Sequence, residues 1–317
     1  MIQNRNSAID ILKFLAVFLV MNSHMKDCYP QYQYLSTGGA IGDALFFYAS
    51  GFTLFLGRDM RFDQWYKRRI NRIYPSILST AIIAYLIWGI EDNIFDILIG
   101  KRYWFIGCIM VYYIFIYPIK KINNEKYIHL IFACWLIAMI GAFFTLWGGN
   151  VPLYSGGLYR SMVFFLFMLQ GAIMGKHADS FTFRWWHLLI FIISLMVWFY
   201  LIHEGTENLL FIFSLVVLLI IVYCLFCICN SNLLNKLYNT RVGGRIIYII
   251  SQLCLEVYLI QKFVFSDVIN HLFPWNIPII MLVVISAAYL VKMLANLISQ
   301  TSKIEPYEWK KIFVMER

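Results

Sequence analysis

The sequence predicts an all-α polytopic membrane protein, a bundle of about ten transmembrane helices with both termini in the cytoplasm. Composition is the first observation: of 317 residues, 61% are hydrophobic and only 14% are charged. Soluble domains carry about 25% charged residues, so this chain cannot cover a water-facing surface. A series of long apolar segments is the second observation, and the distribution of lysine and arginine among the loops is the third.

Each apolar segment is close to the roughly 20 residues that cross a bilayer as a helix. The polar stretches between them are too short for a separate soluble domain, so we expect one integral-membrane domain over residues 1–317. No segment has the two-residue alternation of a lipid-facing β-strand. The predicted spans are 8–25, 39–57, 74–90, 103–119, 127–147, 160–175, 185–202, 208–229, 245–265 and 277–298.

Loop charge predicts the orientation, because lysine and arginine are retained on the cytoplasmic side of a membrane. Eighteen of the 26 basic residues fall on one set of alternate loops, three on the other set and five within the spans. This asymmetry places both termini inside. The net charge of +9 is then explained by basic residues in the cytoplasmic loops. We therefore expect the lipid bilayer as a partner and no nucleic acid.

Small and aromatic residues give expectations about packing. The spacing of Gly171 and Gly175 favours close approach of two helices. Tryptophan and tyrosine near the span ends, among them Trp65 and Tyr103, are expected to be interfacial anchors. The seven cysteines lie mostly within apolar segments, where we interpret them as packing residues.

Ionisable residues inside the spans are candidate functional residues, because each costs roughly 2.5–3.5 kcal/mol at the centre of a membrane helix. The first span contains Asp10, Lys13 and His24. Lys13 and His24 share a helix face but lie about 16 Å apart along its axis. We therefore expect Lys13 near the cytoplasmic entrance and His24 near the outer face. The alternatives are a lysine that reaches the headgroups and an interfacial histidine.

Depth along the spans predicts an outer polar layer that includes His24, Asp43, Arg160 and Gln261. Glu256 falls near the midplane of the ninth span. It is expected either to touch a substrate or to pair with a basic group on a neighbouring helix.

An inner polar layer is expected around Asp10, Lys13 and the basic segment KRRINRIYP. In that segment Arg69 and Arg72, if helical, lie one turn apart and form a fork suited to phosphate or carboxylate. Ordinary positive-inside topology is the alternative explanation for this segment.

Several short motifs stand in a characteristic order along the chain. They are Asp10 and Lys13 followed by His24, IGDALFFYASGF with Asp43, Arg69 and Arg72 before Pro75, Trp104–Phe105, and Ser251 followed by Tyr258 and Leu259. With these motifs the sequence resembles the acyltransferase-3 family of bacterial integral-membrane acyltransferases, which modify glycans of the cell envelope.

Two positions depart from the pattern of that family. Lys13 stands where arginine is usual, which keeps the charge but loses the bidentate fork. Gln261 stands where histidine is common, so the role of that histidine is not carried over.

The resemblance implies transfer of an acyl group, most often acetyl from acetyl-CoA, to a hydroxyl of an envelope glycan or lipid-linked saccharide. It implies a location in the bacterial cytoplasmic (inner) membrane and requires no metal. His24 would be the general base and Asp43 would fix its tautomer. The proposed donor-binding residues are Lys13, Arg69 and Arg72. The proposed substrate-binding residues are Arg160, Glu256, Gln261 and Trp104. Arg160 or Lys262 would stabilise the oxyanion.

Alternatives remain open at this point. A transient acyl-histidine is the second possible mechanism. A proton-coupled transporter or flippase of a glycan precursor or small molecule is the main non-enzyme reading, and a scaffold component of glycan synthesis is a third. A homo-oligomer is compatible with all three.

Overall fold

The computed structural model describes residues 6–90, 96, 103–122, 124–203, 209–301 and 305–315. Helices make up 81% of the structure, and no strand occurs among the described residues, so the all-α prediction is confirmed. The α-helices of this part of the chain are α1 (Ser7–Ser23), α2 (Gly39–Leu56), α3 (Phe62–Trp88), α4 (Trp104–Lys120), α5 (Glu125–Thr145), α6 (Gly157–Lys176), α7 (Trp185–His203), α8 (Phe213–Cys229), α9 (Asn232–Asn239), α10 (Arg241–Gln252), α11 (Cys254–Val264), α12 (Asn276–Thr301) and α13 (Trp309–Phe313).

Within the described ranges, seven helices are long and apolar enough to cross a membrane, and α10 with α11 makes an eighth if the two form one span. The seven are α2, α3, α5, α6, α7, α8 and α12. The polytopic prediction is therefore confirmed. Helices α1 and α4 have 17 residues each, so the count of ten and the orientation stay predictions.

Helix α3 begins earlier than the span predicted over 74–90. It starts at Phe62 and includes the whole basic segment before Pro75. The basic segment is therefore helical and continuous with the membrane helix, and it is not a loop between two spans.

The ninth predicted span, 245–265, is divided into two helices bent by 73°. At the break the backbone N–H of Leu253 donates to the carbonyl of Ile250 at 3.0 Å. The hydroxyl of Ser251 donates to the carbonyl of Tyr248 at 2.8 Å. These local bonds satisfy backbone groups that a continuous helix would pair, which lets the chain change direction inside an apolar segment.

The chain divides into two compact units. Unit 1 takes the described residues of Met1–Lys13, Asp43–Arg58 and Ile114–Gly243, and unit 2 takes those of Phe14–Gly42, Asp59–Tyr113 and Gly244–Arg317.

In unit 1, helices α2 and α6 approach so closely that only glycine fits at their crossing. A Cβ atom at Gly51 would overlap the carbonyl of Met168, and one at Gly171 would overlap the carbonyl of Tyr48. A Cβ at Gly175 would lie 2.8 Å from the carbonyl oxygen of Phe52. The predicted role of Gly171 and Gly175 in helix packing is confirmed.

Candidate active site

Helices α3 and α11 run parallel in unit 2, and this direction orders the polar residues along them. The hydroxyl of Ser76 donates to Oε1 of Glu256 at 2.7 Å. Further along both helices, the rings of Trp88 and Phe263 pack with centroids 5.9 Å apart. Contacts between later residues of α3 and later residues of α11 require that the two helices point the same way.

Arg69 and Lys262 consequently lie on opposite sides of the contact between Ser76 and Glu256. Arg69 precedes Ser76 by seven residues, or about 10 Å, and is on the same face of α3. Lys262 follows Glu256 by six residues, or about 9 Å along α11. Unit 2 therefore carries polar groups at three successive levels.

The first level is the arginine cluster, formed by Trp65, Arg69, Arg72 and Tyr113. The guanidinium of Arg69 lies 5.0 Å from the ring centroid of Trp65 and 5.7 Å from that of Tyr113. Its Nε atom is buried and has no hydrogen-bond partner among the described residues. Arg72 is exposed one turn later, and its charge also acts on the Tyr113 hydroxyl. The two guanidinium groups thus retain donors for an anion.

Trp65 corrects one sequence expectation. It is only 2% exposed, because its ring packs against Arg69 and lies edge-on to Tyr113 at 5.7 Å between centroids. The residue is therefore a support for Arg69, and its prediction as an interfacial anchor was wrong.

The second level is the Glu256 network, formed by Ser76, Glu256 and Lys292. Oε1 of Glu256 accepts hydrogen bonds from Ser76 at 2.7 Å and from Lys292 Nζ at 2.9 Å. Oε2 of the same carboxylate is buried without a hydrogen-bond partner among the described residues. The prediction that Glu256 pairs with a basic group on a neighbouring helix is confirmed, since Lys292 belongs to α12.

Sequence reasoning missed Ser76 and Lys292. Lys292 carried a usable signal, because it is a lone charge within the apolar run of α12. Ser76 carried none, since buried serines are common in membrane helices and its partner is distant in sequence.

The third level includes Gln261, whose side chain is 0% exposed. Neither its amide oxygen nor its amide nitrogen has a hydrogen-bond partner in the described part of the chain. Two residues before Gln261, the carbonyl of Leu259 accepts a hydrogen bond from the hydroxyl of Tyr103 at 3.1 Å. Tyr103 is buried, so it too is not the lipid-facing anchor that its position suggested. Trp104 follows at the first residue of α4 and is half-buried.

His24 lies one residue past the end of α1 and is exposed. Partial burial of the ring, and then the positive charge of Lys262, lower the pKa of the imidazole from its usual range. This shift favours the neutral ring, which is the form that accepts a proton. The segment after His24 contacts the chain just beyond α11, where the thiol of Cys28 donates to the carbonyl of Ser266 at 3.6 Å. His24 therefore belongs to the third level together with Gln261.

The segment after His24 is fixed by asparagine side chains. The amide of Asn22 donates to the carbonyl of Leu35 at 2.7 Å. The buried amide of Asn276, at the first residue of α12, donates to the carbonyl of Cys28 at 2.7 Å. These bonds hold the backbone on the C-terminal side of His24 and so restrict the position of its ring.

The remaining predicted residues belong to unit 1. The carboxylate of Asp43 interacts electrostatically with the guanidinium of Arg160. Asp10 is buried and accepts a hydrogen bond from the hydroxyl of Tyr238 at 2.7 Å. Lys13 is half-buried on α1. Within the described residues, no group of three or more His, Cys, Asp or Glu side chains is arranged to hold a metal ion.

Together, the apolar helices and a family match define the class of this protein as a membrane-bound acyltransferase. A family model described as an acyltransferase domain matches residues 6–295 and so extends over both units. The chain belongs to this family, the acyltransferase-3 family, which confirms the resemblance and the enzyme class drawn from the sequence. No curated protein and no solved structure matches the chain.

Proposed function

We propose that the protein is an O-acyltransferase, specifically an O-acetyltransferase, of the bacterial cytoplasmic membrane. It would move the acyl group of cytoplasmic acetyl-CoA to a hydroxyl of a cell-envelope glycan or lipid-linked saccharide. The observation that carries this proposal is the order of polar levels in unit 2. An anion-binding cluster lies at one end and a neutral imidazole at the other, about 20 Å apart by helix rise.

The arginine cluster suits the nucleotide end of the donor. Coenzyme A carries phosphate groups, and paired guanidinium groups bind phosphate with directed, charge-assisted hydrogen bonds. Contact with the rings of Trp65 and Tyr113 holds Arg69 in place before the ligand arrives, which reduces the ordering cost of binding.

At the other end, His24 would act on the acceptor. Its neutral nitrogen takes the proton of the acceptor hydroxyl as the oxygen attacks the thioester carbonyl. The tetrahedral intermediate then collapses, the carbon–sulfur bond breaks, and the proton passes to the departing thiolate. The products are the glycan ester and free coenzyme A.

Three further roles follow from the family resemblance for residues of unit 1. Lys13 would contribute to donor binding, Asp43 to catalysis and Arg160 to substrate binding. A role for Trp104 in acceptor binding rests on its position at the start of α4, close in sequence to Tyr103 at the third level.

Radiolabelled acetyl-CoA, supplied to the purified full-length protein in lipid nanodiscs with an envelope-glycan extract, tests the proposal. We expect label in the glycan as an alkali-labile ester, with release of free thiol in equal amount. The buried Glu256–Lys292 pair would also suit a proton-coupled transporter. Glycan movement into proteoliposomes that needs no acetyl-CoA, without esterification, would establish that alternative instead.

A further inference from the structure

Helix α11 presents two buried polar groups that lack partners among the described residues. One is the whole amide of Gln261 and the other is Oε2 of Glu256. Both residues are 0% exposed. They are five residues apart, so about 7.5 Å of helix rise and about 140° of rotation about the axis separate them. The two side chains therefore face different sides of α11, and each group needs its own partner.

Such groups are expensive in an empty protein. A buried donor or acceptor without a hydrogen bond costs about 1–3 kcal/mol, so native proteins retain few of them. Gln261 leaves a donor and an acceptor unsatisfied at one place. The complementary ligand group is one that offers both an N–H and a C=O, which describes a secondary amide.

The surroundings narrow the ligand further. Val257, Leu259 and Ile260, between the two polar residues, are almost completely buried. A saccharide would bring a hydroxyl on nearly every carbon and leave many of them unpaired here. A thin, mostly apolar chain that carries an amide group would instead leave no polar group unpaired beside Gln261.

Position points to the same ligand. Glu256 lies between the arginine cluster and His24, and Gln261 lies beside Lys262 at the level of His24. Under the proposed function, on which this inference rests, the arm of the donor must pass these levels to bring its thioester from the bound phosphates to the base. We propose that the side chain of Gln261 binds an amide group of the pantetheine arm of acyl-CoA.

The test is donor truncation against Gln261→Leu, which keeps the volume and removes both hydrogen-bonding atoms. Initial rates are measured with acetyl-CoA, with acetylpantetheine, which keeps the amides, and with an acetyl thioester of a simple alkanethiol, which has none. We expect kcat/KM of the variant to fall about 10-fold to 100-fold for both amide donors. For the alkyl thioester, kcat/KM should equal that of the wild type.

Gln170→Leu is the matched control. Gln170 is a half-buried glutamine of unit 1, whose Nε2 donates to the carbonyl of Leu219 at 2.9 Å and whose Oε1 also lacks a partner among the described residues. Gln170→Leu should leave the ratios of kcat/KM among the three donors at their wild-type values.

Thermal unfolding separates a ligand-binding role from a structural one. Without donor, Gln261→Leu should unfold at the wild-type temperature or above it, because it removes unsatisfied buried atoms. Acetyl-CoA should then stabilise the variant less than the wild type. Wild-type kinetics in the variant, or an equal loss with the amide-free donor, would overturn the inference and leave the proposed function intact. Failure of the wild type to use acetyl-CoA would overturn both.

Discussion

Glu256 and Lys292 form an ion pair with an N–O distance of 2.9 Å, in which the carboxylate side chain is 0% exposed and the lysine side chain 25% exposed. The two partners therefore differ in whether their charge can reach water when the other partner is removed. Lys292 can turn toward water or headgroups. Glu256 cannot, because its other bond is to Ser76 in the interior.

This asymmetry predicts that Lys292→Met destabilises the protein strongly. Removing one partner of a buried pair costs about 3–5 kcal/mol, since it leaves an uncompensated charge. The double variant Glu256→Gln with Lys292→Met should recover most of that loss. Denaturant unfolding of the four proteins in one detergent gives the coupling free energy directly.

The control for this cycle is Lys311→Met. Lys311 pairs with Glu308 at 2.6 Å, but both side chains are more than half exposed, so the expected loss is about 1 kcal/mol or less. If Lys292→Met cost no more than this surface substitution, the Glu256 network would not be the buried unit described above.

A second prediction concerns the arginine cluster. Arg69→Lys keeps the charge but loses the planar group that lies against the rings of Trp65 and Tyr113. We expect KM for acetyl-CoA to rise about tenfold, a loss of roughly 1.4 kcal/mol. KM for acetylpantetheine, which lacks the nucleotide phosphates, should not change.

Arg61→Lys is the control for that variant. The Arg61 side chain is 81% exposed, and its Nε atom lies 3.4 Å from Oδ1 of Asp63. The kinetics of Arg61→Lys should match those of the wild type. An equal rise in KM for both donors in Arg69→Lys would show that Arg69 does not bind the phosphates of the donor.

A third prediction follows from the lowered pKa of His24. A general base works above its pKa and is lost as protonation proceeds below it, so kcat/KM should fall on the acid side through a pKa below the usual range of histidine. The charge of Lys262 contributes to that lowering. Lys262→Met should therefore move the acid limb of the profile to higher pH, with burial still holding it below the unperturbed value. Lys26→Met, two residues from His24, should leave the limb in place.

The fourth prediction tests the helix crossing in unit 1. Gly51→Ala and Gly171→Ala would each force Cβ into a facing carbonyl, so both should reduce the yield of folded protein and lower its melting temperature. Gly141→Ala in α5, where a Cβ meets nothing within 4 Å, should be neutral or stabilising by up to about 1 kcal/mol. Similar behaviour of all three variants would contradict close contact between α2 and α6.

Composition and periodicity predicted the class of fold well, because they report directly on the membrane environment. They also identified Gly171 and Gly175, whose spacing has a steric meaning that does not depend on the partner helix. Helix limits were less predictable. In the early part of α3, Arg69 packs against Tyr113, which is a contact distant in sequence. The bend at Leu253 is formed by serine and backbone bonds with no proline or glycine as a marker.

Partners of the site residues were the least predictable feature. The charge of Glu256 left two possibilities open, a substrate contact or a basic partner, and neither partner was identified. Lys292 is 36 residues away and Ser76 is 180 residues away. Likewise, Gln261 differed from the family motif in the sequence. Only the structure shows that its amide is buried without partners among the described residues.

The most direct test of the account is turnover of His24→Ala with acetyl-CoA and glycan acceptor, beside His271→Ala, which alters an exposed histidine of unit 2. We predict that His24→Ala lowers kcat about 100-fold to 10,000-fold, the usual contribution of a general base. Acetyl-CoA should still raise its melting temperature as it does for the wild type, and His271→Ala should behave normally in both measurements. Near-normal turnover by folded His24→Ala would contradict the assignment of the base and the mechanism built on it.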